Sequence, residues 1–386
     1  MGRDERKALI MEIERLRNSK VIVYFCGDRT IQPSNISSGA IRYIYDHLLA
    51  ITKDGDKVDK IDLYLYARGG ALVAPWSIVS LIREFAKKFE VLIPYKAYSA
   101  TTLIAMGSDK IIIGKKGLMG PIDPFLETIT SDYQKETSRR RIGTEDVSQY
   151  IKFIKERAGL TDQQAITPLV SLLADEIKPI TLGRVQRAYS HIRLVAGLLL
   201  STVTPKLEER RITKIIEALT DKIFLHGHGI SYEEANEIGL QVKRPEPDVE
   251  KIMWALYLEY EDLLKLNSIR DAMGYFDGDN DLYEENELTI VAIESVEKLH
   301  QYRGNLKLKR MRNIPPNPTI NVNLNLQMPP GQETEELPNQ LAISLQNMLR
   351  QASQNMRDIV NEEIRKQSPI SGIKREFIKQ RWVELE

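Results

Sequence analysis

The chain of 386 residues has one cysteine, no net charge and no long apolar run, and each shortage removes a class of protein. Cys26 cannot form an intrachain disulfide, and its place in the apolar run Val21-Ile-Val-Tyr-Phe-Cys26 suits a thiol acting as a small hydrophobe. A reducing, cytoplasmic setting is therefore expected. With 54 Lys+Arg against 54 Asp+Glu there is no basic footprint for nucleic acid and no polybasic signal for a membrane surface. Residues 1–18 read as a charged amphipathic helix without the apolar core of a signal peptide. Nothing later reaches the ~20 apolar residues that a bilayer span requires. The nearest approach, 194–203, is short, follows Arg187 and Arg193, and is expected to be a buried helix end. No internal repeat or extended low-complexity tract is present. The sequence calls for neither a metal nor a cofactor: His226-Gly-His228 offers two imidazoles with no third ligand at a familiar spacing.

What remains is an ordinary globular composition, 42% hydrophobic and 28% charged, with enough length for a sizeable core. β-Branched runs at 21–26, 60–66, 90–94 and 110–113 read as strands, and the segments 39–51 and 72–89 between them carry apolar residues at helical spacing. This alternation predicts βαβ crossovers and a largely parallel sheet. After Pro124 the chain is expected to be helical to about 266. The acidic stretch Asp277-Gly-Asp-Asn-Asp281 reads as a linker. Strands are expected at 288–294 and 305–309, and the strict polar/apolar alternation of 319–327 predicts a strand with one buried face. From 339 to 366 a helical stripe of Leu341, Leu345, Met348, Ala352, Met356 and Ile359 suits either a coiled-coil-like partner or packing on its own domain. The expected organisation is an α/β domain at 1–275, a small β-rich segment at 282–330 and a helical extension at 337–386 available for oligomerisation or a protein partner.

Four constellations carry chemistry. The strand ending Tyr64-Leu-Tyr-Ala67-Arg68-Gly69-Gly70 closes in paired glycines, which let backbone approach a ligand and aim N–H groups at developing negative charge. The segment Tyr98-Ser99-Ala100-Thr101-Thr102 passes from strand to apolar helix with a serine at the junction, either a nucleophile at an elbow or a helix N-cap. Gly120-Pro121-Ile122-Asp123-Pro124 holds a carboxylate in a rigid turn. Finally, His226-Gly-His228-Gly-Ile-Ser231 leads into a short helix, with Ser231 and Glu234 in capping-box spacing.

In this order, across roughly residues 20 to 265, the four constellations resemble the serine dehydrogenase proteinase family, a branch of the ClpP/crotonase superfamily similar to the Clp proteolytic subunit and signal peptide peptidase A. The resemblance implies a ClpP/crotonase-like fold of repeated β-β-α and βαβ units, with a C-terminal α+β extension outside it. It also implies a serine peptidase without cofactor: Ser99 as nucleophile, the amides of Gly70 and Ala100 as oxyanion hole, and Gly69 and Arg68 beside the substrate. Clp proteases carry their catalytic histidine in the turn that here reads 120–124 and holds none, so His226 is the candidate base, with Asp123 to orient it. Lys96 or another lysine is the other option, as in Ser-Lys dyads. Two residues depart from the family pattern: Arg68 replaces a proline before Gly-Gly, and Thr101 replaces a glycine after the elbow, where a β-branched side chain crowds the helix start. The family's likeness to ring-forming enzymes implies a homo-oligomer acting on a peptide or protein substrate. The alternative is a non-catalytic scaffold of the same fold that binds partners through its C-terminal region.

Overall fold

The computed structural model describes residues 2–52, 56–122, 125–132, 135–222, 227–268, 271–314 and 339–385. Its strands are β1 (Lys20–Cys26), β2 (Val58–Tyr66), β3 (Ala86–Ile93), β4 (Lys96–Ala97), β5 (Lys110–Ile113), β6 (Leu118–Met119), β7 (Phe125–Asp132), β8 (Lys135–Gly143), β9 (Val242–Lys243), β10 (Leu282–Glu294), β11 (Leu299–Arg312) and β12 (Ile370–Leu385). The helices are α1 (Arg3–Arg17), α2 (Ile41–Thr52), α3 (Ala74–Phe85), α4 (Ala100–Met106), α5 (Thr144–Lys152), α6 (Gln163–Glu176), α7 (Pro179–Ser201), α8 (Glu209–Glu217), α9 (Tyr232–Ile238), α10 (Pro247–Leu263) and α11 (Asn339–Gln367).

The β-branched runs become the centre of an eight-stranded sheet, in the order β12-β11-β10-β1-β2-β3-β5-β9. β1 pairs in parallel with β2, β2 with β3 and β3 with β5, through partners such as Val23 and Tyr64, Tyr64 and Leu92, and Val91 and Ile111. Parallel strands joined by helical crossovers are covered on both faces, and every residue from Val21 to Cys26 is buried accordingly. Odd-numbered side chains of β1 (Val21, Val23, Phe25) pack with Ile10 and Ile13 of α1 and with Val249, Met253, Leu256, Tyr257 and Tyr260 of α10. Even-numbered side chains point to the opposite face, where α2, α3, α4 and α7 pack on one another. Cys26 is buried there as a small hydrophobe, and desolvation pushes its thiol pKa up to about 12. No described helix is long and apolar enough to cross a membrane.

Several elements differ from the sequence expectation. The segment after residue 124, expected to be helical, opens with the antiparallel hairpin β7–β8. The C-terminal extension is helical over Asn339–Gln367 and a strand over Ile370–Leu385. The alternating run 319–327 lies outside the described residues.

The chain divides into two compact units, one of 1–268 with 287–304 and 379–386, the other of 269–286 with 305–378. In the second unit the supposed linker ends in a buried carboxylate: Asp281 accepts hydrogen bonds from Arg312 (2.8 Å from Nε) and from Arg365, and Arg312 reaches on to the carbonyls of Lys366 and Ser368 at the end of α11. That charge network, which no linker requires, fixes the last turn of α11. Ile343, Met348, Met356 and Ile359 along α11 are exposed.

Candidate active site

The carboxyl ends of β2 and β3 build the elbow. The N–H of Ala67 donates to the carbonyl of Lys96 (3.1 Å), and the N–H of Tyr98 donates back to that of Ala67 (3.1 Å), so the chain leaving β2 is tied to the chain entering α4. Between them stands Ser99, with φ 54° and ψ −115°, a conformation that side-chain-bearing residues rarely adopt. Serine at a helix N-cap ordinarily accepts a bond from the first turn. Ser99 makes no such bond, and its Oγ has no hydrogen-bond partner among the described residues although the residue is 6% exposed. The hydroxyl is not spent on capping.

Gly69 (φ 128°) is the surface on which that side chain rests: a Cβ there would stand 3.0 Å from Ser99 Cβ and 3.4 Å from its Oγ. Gly70 (φ 155°) is pressed against Ile36, whose carbonyl oxygen lies 2.1 Å from where a Cβ would sit. Ile36 donates to the carbonyl of Gly69 (2.8 Å) and accepts from the N–H of Ala71 (2.9 Å), the pattern of a parallel bridge. In an extended chain successive N–H groups face opposite ways. The Gly70 N–H is therefore directed away from Ile36 and is bonded to no described residue, like that of Ala100, the first residue of α4. Thr101 does not push α4 off the glycine strand: it is fully buried, and its hydroxyl faces the carbonyl of Ala67 at 3.4 Å.

The remaining two constellations close on the same elbow from outside. Gly120 donates to the carbonyl of Ala97 (3.1 Å), Ile122 donates to Leu219 (3.1 Å), and Met119 exchanges both backbone bonds with Ile230 (3.0 and 2.8 Å). The hydroxyl of Thr102 sits between the carbonyls of Ala97 (2.7 Å) and Gly120 (2.8 Å). Gly229 approaches Tyr98, with only 3.4 Å between its Cβ position and the phenol oxygen. Asp123 and His226, the two other residues expected at the site, lie outside the described residues. His228 is on the surface, its Nε2 2.9 Å from Glu234 Oε1. Lys96 turns its Nζ to Asp28 Oδ2 (2.7 Å), whose other oxygen accepts from Tyr66, and makes no bond to Ser99. Arg68 is exposed and makes no hydrogen bond or ion pair with a described residue. Burial pushes the pKa of the Tyr98 hydroxyl up, Tyr95 and Asp28 add to that rise, and the Arg68 charge opposes it.

Residues 3–265 match the model of a family described as ClpP-like SDH-type serine proteinases. The chain belongs to that family. In this chain β1–β3, β5 and α4 form the framework that positions Ser99. A similar protein, an uncharacterized one of Methanocaldococcus jannaschii, is 25% identical over 255 residues, 65% of this chain and 78% of its own length. A second uncharacterized protein of that organism is 32% identical over 122 residues, 31% of this chain and 42% of its own. Among solved structures, ClpP1 from Listeria monocytogenes matches at 11% identity and a TM-score of 0.31, covering 61% of this chain and 98% of the other. A mutant form of that ClpP1 matches at 12% identity and a TM-score of 0.30, covering 62% of this chain and 99% of the other.

Ile36 and Asp28 are parts of this elbow that sequence reasoning missed, and Thr102, read there as part of the elbow segment, was given no role. The signal available for the first two was position, since 28–37 follows the carboxyl end of β1, where open α/β sheets gather ligand-binding groups.

Proposed function

We propose that the chain is a serine endopeptidase that cleaves peptide bonds through an acyl-enzyme on Ser99. The observation that carries this reading is the backbone of Ser99, held at φ 54° with the residue nearly buried and its hydroxyl unbonded among the described residues. Strain of roughly 1–3 kcal/mol persists only where surrounding structure over-determines it, and here it presents a nucleophile beside two uncommitted N–H groups.

In the proposed reaction Ser99 Oγ attacks the scissile carbonyl carbon while a base takes its proton. The carbonyl oxygen becomes an oxyanion between the N–H groups of Gly70 and Ala100, collapse of the tetrahedral intermediate expels the protonated amine, and water then releases the acyl group. His226 is the proposed base and Asp123 its orienting partner. Support for this comes from the chain on either side of them, since Ile122 is bonded to Leu219 and Ile230 to Met119, with Gly120 on Ala97 two residues from the elbow. Gly69 and Arg68 are proposed to face the substrate. We further read the enzyme as a cytoplasmic homo-oligomer. The exposed stripe of Ile343, Met348, Met356 and Ile359 on α11 favours a partner-binding role for that helix, and it is the observation on which a purely scaffolding reading would rest.

The test is covalent labelling by a fluorophosphonate, read by intact mass. Labelling of wild type that is lost in Ser99→Ala and slowed at least ~10²-fold in His226→Ala is expected, the latter as the effect of removing a general base. A folded wild type that stays unlabelled would transfer the case to the scaffold.

A further inference from the structure

The site carries an imbalance of charge that the reaction itself does not require. The turns at the carboxyl ends of β1, β2, β3 and β5, residues 27–37, 67–73, 94–99 and 114–119, contain Arg68, Lys96, Lys115 and Lys116, with Arg29 buried, against one carboxylate of their own, Asp28, and Glu250 of α10, which accepts from the Lys115 N–H at 2.9 Å. Asp28 is already taken, ion-paired with Lys96 and bonded to Tyr66. Lys116 lies over the rings of Trp254 (4.6 Å) and Tyr95 (5.6 Å), and Lys96 lies over Tyr95 from 4.8 Å. The rim of positive charge thus continues across aromatic faces at the strand ends. Arg68 is the member nearest the chemistry: it immediately precedes Gly69, on which Ser99 rests, and its field reaches the Tyr98 hydroxyl.

A guanidinium exposed and unengaged on one side of a nucleophile, with no described acid left to neutralise it, has one obvious complement. We infer that Arg68 recognises a carboxylate side chain of the substrate close to the scissile bond, so that the enzyme selects acidic peptides. This rests on the peptidase reading above for where the carboxylate sits, but not for whether it binds. Arginine suits the task because its fork engages both oxygens of a carboxylate, whereas lysine contributes a point charge. Lys115 and Lys116 act at longer range, concentrating anionic chains at the mouth and making capture sensitive to salt.

Two readouts separate this inference from the reading it rests on. In the first, wild type, Arg68→Gln and Arg68→Lys digest a peptide mixture of mixed sequence, and the residues flanking each cut are identified by mass spectrometry. Asp and Glu are expected to be enriched near the cut in wild type, to lose that enrichment in Arg68→Gln and to regain part of it in Arg68→Lys. In the second, a fluorescent Glu-rich peptide and its Gln-substituted counterpart are titrated onto Ser99→Ala protein, with and without Arg68→Gln. A Glu-over-Gln preference of roughly 2- to 5-fold is expected, the scale of one solvent-exposed ion pair, and it should vanish with Arg68→Gln and shrink with added salt. Cleavage without acidic enrichment, or enrichment and preference that survive Arg68→Gln, would overturn the inference while leaving the peptidase reading intact. If wild type neither labels nor cleaves, that reading fails, and the binding titration alone decides whether Arg68 recognises carboxylates.

Discussion

The first unit holds two kinds of buried polar group, and they are opposite in design. At its core Arg6 Nε donates to Glu294 Oε2 at 2.7 Å, Tyr260 donates to the same oxygen at 2.7 Å, and all three residues are almost wholly buried. Beside them His47 Nδ1 meets Ser295 Oγ (2.9 Å) and His47 Nε2 meets His300 Nδ1 (3.1 Å). Every one of these groups has a partner and ordinary backbone. At the elbow Ser99 has neither among the described residues, and the N–H groups of Gly70 and Ala100 are bonded to none of them. Satisfied polar clusters hold a unique packing together, whereas a strained and unsatisfied one is retained where it does chemistry.

Substitutions can break this contrast from either side. The largest effect on chemistry is expected from Gly70→Ala: its Cβ cannot coexist with the Ile36 carbonyl 2.1 Å away, so the strand end must shift and carry its N–H with it. Fluorophosphonate labelling should fall ~10²–10³-fold, the usual loss for one oxyanion donor. Labelling at the wild-type rate would remove Gly70 from the oxyanion hole.

Next in size is Glu294→Ala, which strands the buried guanidinium of Arg6 and the Tyr260 hydroxyl. Urea unfolding should show a loss of about 3–5 kcal/mol, as for a buried pair broken from one side. Labelling of the folded fraction should proceed unchanged. A loss in labelling rate without a loss in stability would erase the distinction drawn between the two clusters.

A smaller, graded effect comes from pH. Desolvation, with the charge of His300 and Lys298 adding to it, lowers the His47 pKa from 6.5 to about 3. The unfolded chain therefore binds the proton that the folded one refuses. The stability that His47 contributes is full above its unfolded value of about 6.5, and it is lost progressively as pH falls toward 3, with a slope approaching about 1.4 kcal/mol per pH unit. Urea midpoints taken between pH 7 and pH 4 should fall accordingly, and His47→Gln should flatten the curve. A wild-type curve that stays flat would contradict the burial of a neutral imidazole.

The smallest effect is expected from Thr101→Val, which removes a hydroxyl facing the Ala67 carbonyl at 3.4 Å while keeping the shape. A loss of about 1 kcal/mol with labelling retained would mark Thr101 as a tie between helix and strand. A gain in labelling would show that it restrains the site.

The comparison also explains what could be read from the sequence. The elbow was legible because its parts are local: a serine where a β-run meets an apolar helix, and paired glycines where another strand ends. The satisfied clusters were not, because Arg6 and Glu294 are 288 positions apart and His47 and His300 are 253 apart. β7–β8 escaped notice because its second strand, Lys135–Gly143, is rich in charge and lacks apolar alternation. β12, with Lys, Arg and Glu spread through Ile370–Leu385, was merged into the preceding helix for the same reason. Asp281 looked like a linker residue because the arginines that bury it come from positions 312 and 365.

The most direct test of the central claim is to map the fluorophosphonate adduct by peptide mass spectrometry after brief exposure. An activated serine at a strained elbow predicts a single adduct on Ser99, with Ser34, Ser108 and Ser295, whose hydroxyls are all hydrogen-bonded, left unmodified. Adducts spread among these serines, or none on Ser99, would contradict it.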